Sequence, residues 1–233
     1  PSRWLVTCDH AANTVPDFVN GGQLGLARGD MERHIAYDVG AAGVTRELAR
    51  LLDAPAILSN FSRLVIDPNR GEDDPTLLMK LYDGTIIPAN RHARATEVEQ
   101  RLNACYRPYH DALTLIAARR PDTVVLSIHS FTRQLNGRPP RPWHVGILHA
   151  GENRLARLLI DRLSQESDLC VGDNEPYGGH LPGDSIDRHA MAQGRPNVLV
   201  EVRNDLIETH DHQVAWARRL APILQDTLAI AGL

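Results

Sequence analysis

Arg3-Trp4-Leu5-Val6-Thr7-Cys8-Asp9-His10-Ala11-Ala12-Asn13 is an apolar run that stops at a polar turn carrying a histidine. Its Trp, Leu, Val and Thr content predicts a buried strand. In α/β chains, sites gather beyond the carboxyl ends of strands, where Asp9 and His10 stand here. Two further runs end the same way. Thr123-Val124-Val125-Leu126-Ser127-Ile128-His129-Ser130 ends at a histidine, and Asn197-Val198-Leu199-Val200-Glu201-Val202-Arg203 ends at a carboxylate. Three apolar runs ending in His, His and Glu predict one polar cluster along one sheet edge.

Outward from the first strand, the Asn/Pro/Gly-rich stretch 13–29 reads as loop. Asp30 suits an N-cap, Glu32 the first helical turn, and Ile35, Val39, Leu48 and Leu52 follow at helical spacing, predicting a helix over 31–52. Residues 56–59 and 63–66 read as strand, and 71–93 as an irregular segment long enough to be functional. A helix over 95–119 should kink at Pro108. A loop follows at 131–141, then a strand at 145–148, a helix at 153–165, a short strand at 169–171 and a last helix at 211–229. Strands alternating with helices predict an α/β sandwich around a mostly parallel sheet.

Composition narrows the function. The 233 residues fit one α/β domain. A formal charge of −4, from 25 basic and 29 acidic residues without a Lys/Arg block, argues against nucleic acid or a membrane surface as partner. Three cysteines without CxxC spacing argue against a disulfide framework and for a reducing compartment. Neither a signal-peptide pattern nor an apolar run of about 18 residues is seen, so a cytoplasmic protein is expected. None of this fixes an oligomeric state.

His10 and His129 are the metal candidates, because imidazole is the common zinc ligand; each alone reads equally well as a satisfied strand-end histidine. Glu201 is the best general base, since a carboxylate ending an apolar strand is desolvated, with a salt bridge to Arg203 as the plain alternative. Arg63, Asp67, Asn69 and Arg70 crowd two guanidinium groups, a carboxylate and an amide into eight residues, enough to grip a substrate carboxylate or to form a local surface ion pair. Gly178-Gly179 matches no phosphate loop and suits close backbone approach to a ligand. Cys8 beside His10 leaves a thiol hydrolase open, against the more ordinary buried cysteine.

Taken in order, Asp9-His10 with Pro16, Glu32 to Asp38, Ser62-Arg63 to Asp67-Pro68-Asn69-Arg70, Tyr106-Arg107-Pro108-Tyr109-His110, Ile128-His129-Ser130, Pro176-Tyr177-Gly178-Gly179 and Glu201-Val202-Arg203 resemble the N-formylglutamate amidohydrolase family over nearly the whole chain. That family shares the zinc-carboxypeptidase fold with aspartoacylase and succinylglutamate desuccinylase. The resemblance implies a phosphorylase/hydrolase-like three-layer α/β/α sandwich with a mixed, mostly parallel sheet. It implies one zinc held by His10, Glu32 and His129, with Asp38 as the reserve acidic ligand, because Asn13 breaks the HxxE pattern of the carboxypeptidases. Glu201 and Arg63 take the catalytic roles of base and carbonyl polariser. Asn69, Arg70, Asp67, Gly179, His180 and Arg203 take the substrate-binding ones. The implied substrate is a small anionic N-acyl amino acid, N-formyl-L-glutamate by default. The His10 turn departs from the Pro-His-Ser-Gly type, which leaves open a deacylase or carboxypeptidase of the same fold, and a non-catalytic carboxylate-binding homologue.

Overall fold

A computed structural model describes residues 2–179 and 181–233. The chain runs β1 (Trp4–Cys8), α1 (Arg28–Met31), α2 (Ala41–Leu51), β2 (Ala56–Leu58), β3 (Leu81–Tyr82), β4 (Thr85–Ile86), α3 (Pro88–Arg91), α4 (Ala95–Arg101), a π-helical turn (Leu102–Tyr106) and α5 (Arg107–Ala117). It continues with β5 (Val124–Phe131), β6 (Val145–Leu148), α6 (Arg154–Leu163), β7 (Val171–Asp173), α7 (Ser185–His189), β8 (Asn197–Arg203) and α8 (His210–Ala231). Six strands form one sheet in the order β2-β1-β5-β8-β6-β7, and β3 and β4 form a separate hairpin. Strands β2, β1, β5 and β8 are parallel; β6 runs antiparallel to β8, with β7 parallel to β6. The sheet is therefore mixed and mostly parallel, as expected.

Strand alternation decides what faces the site. Val124, Leu126, Ile128, Val198, Val200 and Val202 point into one core with Val44 and Leu48 of α2, Leu159 of α6 and Leu220 of α8. Leu5 points the other way, into a second core with Tyr106, Tyr109 and Leu113. Val125 and Leu199 pack there against Ile186 of α7. Helices thus cover both faces, giving three layers. His129 and Glu201 fall between the first-core residues and so project from the α5/α7 face, directly opposite each other in the β5–β8 register. No helix among the described residues is long and apolar enough to cross a membrane.

Three local expectations are corrected. The helix predicted over 31–52 is α1 and α2 separated by a turn, because Gly40 adopts φ +81° and a Cβ there would stand 2.1 Å from the Ile207 carbonyl oxygen. Leu64-Val65-Ile66 is fully buried but forms turns rather than a strand; its apolar character serves the second core. The helix predicted over 95–119 is divided into α4, a π turn and α5, with Pro108 in the first turn of α5 directly after the π turn. The irregular segment 71–93 contains the β3–β4 hairpin and α3.

Candidate active site

The turn after β1 is built by backbone bonds from distant segments. The Asp38 N–H donates to the His10 carbonyl (2.9 Å), and the Ala11 N–H donates to Ser59 Oγ (3.0 Å). Ser130 Oγ donates to the Val39 carbonyl (2.8 Å), pinning the 37–40 turn to the end of β5. Asp38 is thereby carried between the two histidines.

His10, Asp38 and His129 are all buried and offer one donor atom each within 4.8 Å of one another. Asp38 Oδ2 lies 2.8 Å from His129 Nδ1 and 3.4 Å from His10 Nδ1. The opposite ring nitrogens face other carboxylates: His10 Nε2 is 2.7 Å from Asp67 Oδ1, and His129 Nε2 is 3.2 Å from Asp9 Oδ2. Every ring nitrogen of this pair thus faces a carboxylate; with Nε2 donating to Asp67 or Asp9, Nδ1 is the nitrogen on each ring that a metal ion could take in place of a proton. This is the arrangement in which an outer carboxylate orients a metal-binding imidazole. Asp9 is fixed in turn by Tyr109 Oη (2.6 Å) and Ser185 Oγ (2.9 Å).

The charges suit a cation. Burial opposes ionisation of Asp38, but the flanking histidines outweigh it and hold its carboxyl far below the usual range. Burial likewise opposes ionisation of Asp9, yet His129 brings it down to about 2. Burial disfavours the His129 cation, yet its bonds to Asp38 and Asp9 push its pKa well above the ordinary value. Two imidazoles, one shared carboxylate and outer carboxylates on both rings form a donor set that could hold a metal ion.

Glu201 stands beside this group, buried, and its Oε2 has no hydrogen-bond partner among the described residues. Burial pushes its carboxyl up to about 7, with the Asp38 charge acting in the same direction against His129. It borders a cavity of about 460 Å³ that His10, Asp38, His129, Arg63, Asn69 and Arg70 also line. Arg63 bonds Asp67 through Nε (3.1 Å) and Nη2 (2.7 Å), and its Nη1 is 3.6 Å from Asp38. Asp67 also accepts the Asn69 N–H (2.9 Å), so one buried carboxylate ties His10, Arg63 and Asn69 together. Asn69 Oδ1 accepts the Ser185 N–H (3.3 Å), and Arg70 leans on Thr76 Oγ1 (3.0 Å) and the Asn69 carbonyl (2.6 Å).

Gly179 lines the cavity, and a Cβ there would lie 2.0 Å from the His149 carbonyl oxygen, so only glycine fits. His180 lies outside the described residues.

Three readings move. Glu32 is not in the histidine group: its side chain is 55% exposed and paired with Arg28 (2.8 Å), and Asp38 takes the acidic position. Glu32 is the C-cap of α1 rather than a first-turn residue, and its side chain turns out to Arg28, while Asp38 reaches the site because its backbone binds the His10 turn. Arg203 does not line the cavity; Asp205 (2.7 Å) and the Trp143 carbonyl (3.2 Å) hold it. Cys8 points into the first core, and burial followed by the Asp38 charge drives its thiol pKa well up, which removes support for a thiol nucleophile. Sequence reading gave no role to Asp9, although a carboxylate adjoining a candidate ligand was the available signal. It also missed Tyr82, Phe131 and Leu199 of the cavity wall, which carry no motif.

Comparison with known proteins follows this geometry. The sequence profile described as N-formylglutamate amidohydrolase matches residues 2–208. An N-formylglutamate deformylase of Pseudomonas putida is 27% identical over 207 residues, covering 79% of this chain and 73% of that protein. A gene product of Agrobacterium tumefaciens, known from its crystal structure, is 34% identical and superposes with a TM-score of 0.93 over 100% of this chain and 92% of its own. The N-formylglutamate amidohydrolase of Ralstonia eutropha, 23% identical, shares the fold with a TM-score of 0.71 over 99% of this chain and 93% of its own.

Proposed function

The chain belongs to the N-formylglutamate amidohydrolase family, and from that membership we propose that it hydrolyses the amide bond of an N-acyl amino acid, converting N-formyl-L-glutamate to formate and L-glutamate. The observation that carries the reading is Glu201: a buried carboxylate with one oxygen unpartnered among the described residues, pushed up to about 7 by burial and set in register with His129. A general base works best when its pKa lies near the working pH.

In this reading His10, Asp38 and His129 hold one divalent ion, zinc being the best match to the donor set. Bound there, the ion supplies positive charge that polarises an acyl carbonyl and acidifies water. Glu201 accepts the proton of the attacking water and delivers it to the leaving nitrogen. Arg63, locked by Asp67, offers Nη1 to the charge that develops on the acyl oxygen. Asn69 and Arg70 hold the substrate α-carboxylate by charge-assisted bonds. Asp67 and Asp9 keep both imidazoles in the tautomer that turns Nδ1 inward.

The test is incubation of the purified protein with N-formyl-L-glutamate, followed by proton NMR. Formate and L-glutamate are expected to appear in equal amounts. A rate no higher than that of a Glu201→Gln control overturns the reading.

A further inference from the structure

We propose that the cavity also takes N-acyl amino acids with an apolar side chain, which seats on a wall built by Leu148 and Leu199 beside Glu201; this rests on the amide-hydrolysis reading above. Leu199 stands two residues before Glu201 on β8, so both side chains leave the sheet on the same face. Leu148 of β6 pairs directly with Leu199 in the antiparallel β6–β8 register. All three residues line the cavity. Opposite Glu201 the register places Gly146, where a Cβ would come within 3.6 Å of the Glu201 Cβ and would collide with the Glu175 carbonyl oxygen. The segment after β7 therefore packs straight onto β6, and its Pro176 and Tyr177 continue the cavity wall. Val125, Ile186 and Ala190 are buried in one cluster with the two leucines, so the wall is the cavity-facing side of a packed apolar core.

Glu201 stands at the junction of two unlike halves. Sheet order puts β1 and β5, whose ends carry His10 and His129, on one side of β8 and β6 on the other. Among the described residues, the guanidinium groups lining the cavity are Arg63 and Arg70, in the segment that Asp67 binds to His10 on the first side. In the reading above Glu201 returns a proton to the leaving nitrogen, so that nitrogen lies against Glu201 and the substrate Cα one bond further on. With the α-carboxylate drawn to Arg70, the side chain on that Cα is the substituent left to turn onto Leu148 and Leu199. An apolar side chain gains there because its surface leaves water.

The test compares N-formyl-L-methionine with N-formylglycine, which differ only in the side chain. The methionine compound, hydrolysed to formate and L-methionine, is expected to have a kcat/KM about 10-fold or more above that of the glycine compound. In Leu199→Asn this ratio should fall about 10-fold, because a polar group replaces the apolar wall. Leu199 is only 8% exposed and packs in the core, so Tyr177→Ser, at a position 40% exposed, serves as the second variant and should lower the ratio about threefold. A ratio near one in the unaltered protein, or a ratio that every folded variant preserves, overturns the pocket. Hydrolysis of N-formyl-L-glutamate in the same assay reports on the amide-hydrolysis reading alone. If none of the three compounds is hydrolysed, that reading fails and calorimetry decides the pocket separately. Binding of N-acetyl-L-methionine about 10-fold tighter than that of N-acetylglycine, with the difference reduced in Tyr177→Ser, then supports it; equal affinities overturn it.

Discussion

Glu201→Gln is expected to lower kcat by about 10³-fold while making the metal-free protein more stable above pH 7. The amide has the shape of the carboxylate but cannot take a proton from water. The stability gain comes from removing a buried charge whose Oε2 has no partner among the described residues. The folded-state pKa of about 7 lies above the ordinary 4.5, so the folded protein binds more protons between these values. Stability therefore falls as pH rises from about 4.5 to about 7, and the penalty is complete above that. Glutamine does not titrate, so the variant should exceed the parent by about 1–3 kcal/mol at pH 8 and match it at pH 4. A gain of roughly 2–4 °C in Tm accompanies each kcal/mol in a chain of this size. Thermal melts in chelator at the two pH values check the stability half, and formate release checks the catalytic half. Since a bound cation favours the carboxylate, the acid limb of kcat/KM should fall at or below about pH 7. A variant that keeps turnover and melts with the parent at both pH values removes Glu201 from the base role.

Asp38→Ala should abolish both metal retention and turnover, whereas Glu32→Ala should leave both within about twofold of the parent. Asp38 meets the Nδ1 atoms of both histidines. Without it two imidazoles remain to hold the ion, one ligand short of the usual catalytic zinc set, and activity should drop by about 10³-fold or more. Glu32 instead forms an exposed i,i+4 pair with Arg28, a kind of contact that contributes little to stability. Metal content by mass spectrometry and the NMR assay, run on both variants, separate the two residues. Loss of metal in Glu32→Ala with retention in Asp38→Ala would reverse the assignment.

The contrast between these two acids marks what is legible in a sequence of this kind. Strands β1, β5 and β8 announce themselves, because buried parallel strands are continuous apolar runs and their polar ends stand out. The facing of His129 and Glu201 follows once those strands are adjacent and parallel. Asp38 was visible only as a reserve candidate, because its approach depends on a backbone bond to His10 and on the left-handed turn at Gly40. Glu32, at the start of an apparent helix, had the stronger local signal, yet it pairs with the neighbouring Arg28 on the surface. Leu64-Val65-Ile66 misled in the same way: three apolar residues fill a core equally well in turns as in a strand. The local grouping of Asp67 with Arg63 and Asn69 was legible, but its bond to His10, 57 positions away, is encoded by no local spacing.

The central claim is that His10, Asp38 and His129 bind the ion on which hydrolysis depends, and it is tested most directly by metal removal and return. Metal content and formate release from N-formyl-L-glutamate are measured on the same sample before chelation, after it, and after zinc is added back. The account predicts about one zinc per chain, with activity that disappears and returns in step with it. Full activity in protein stripped of metal would contradict it.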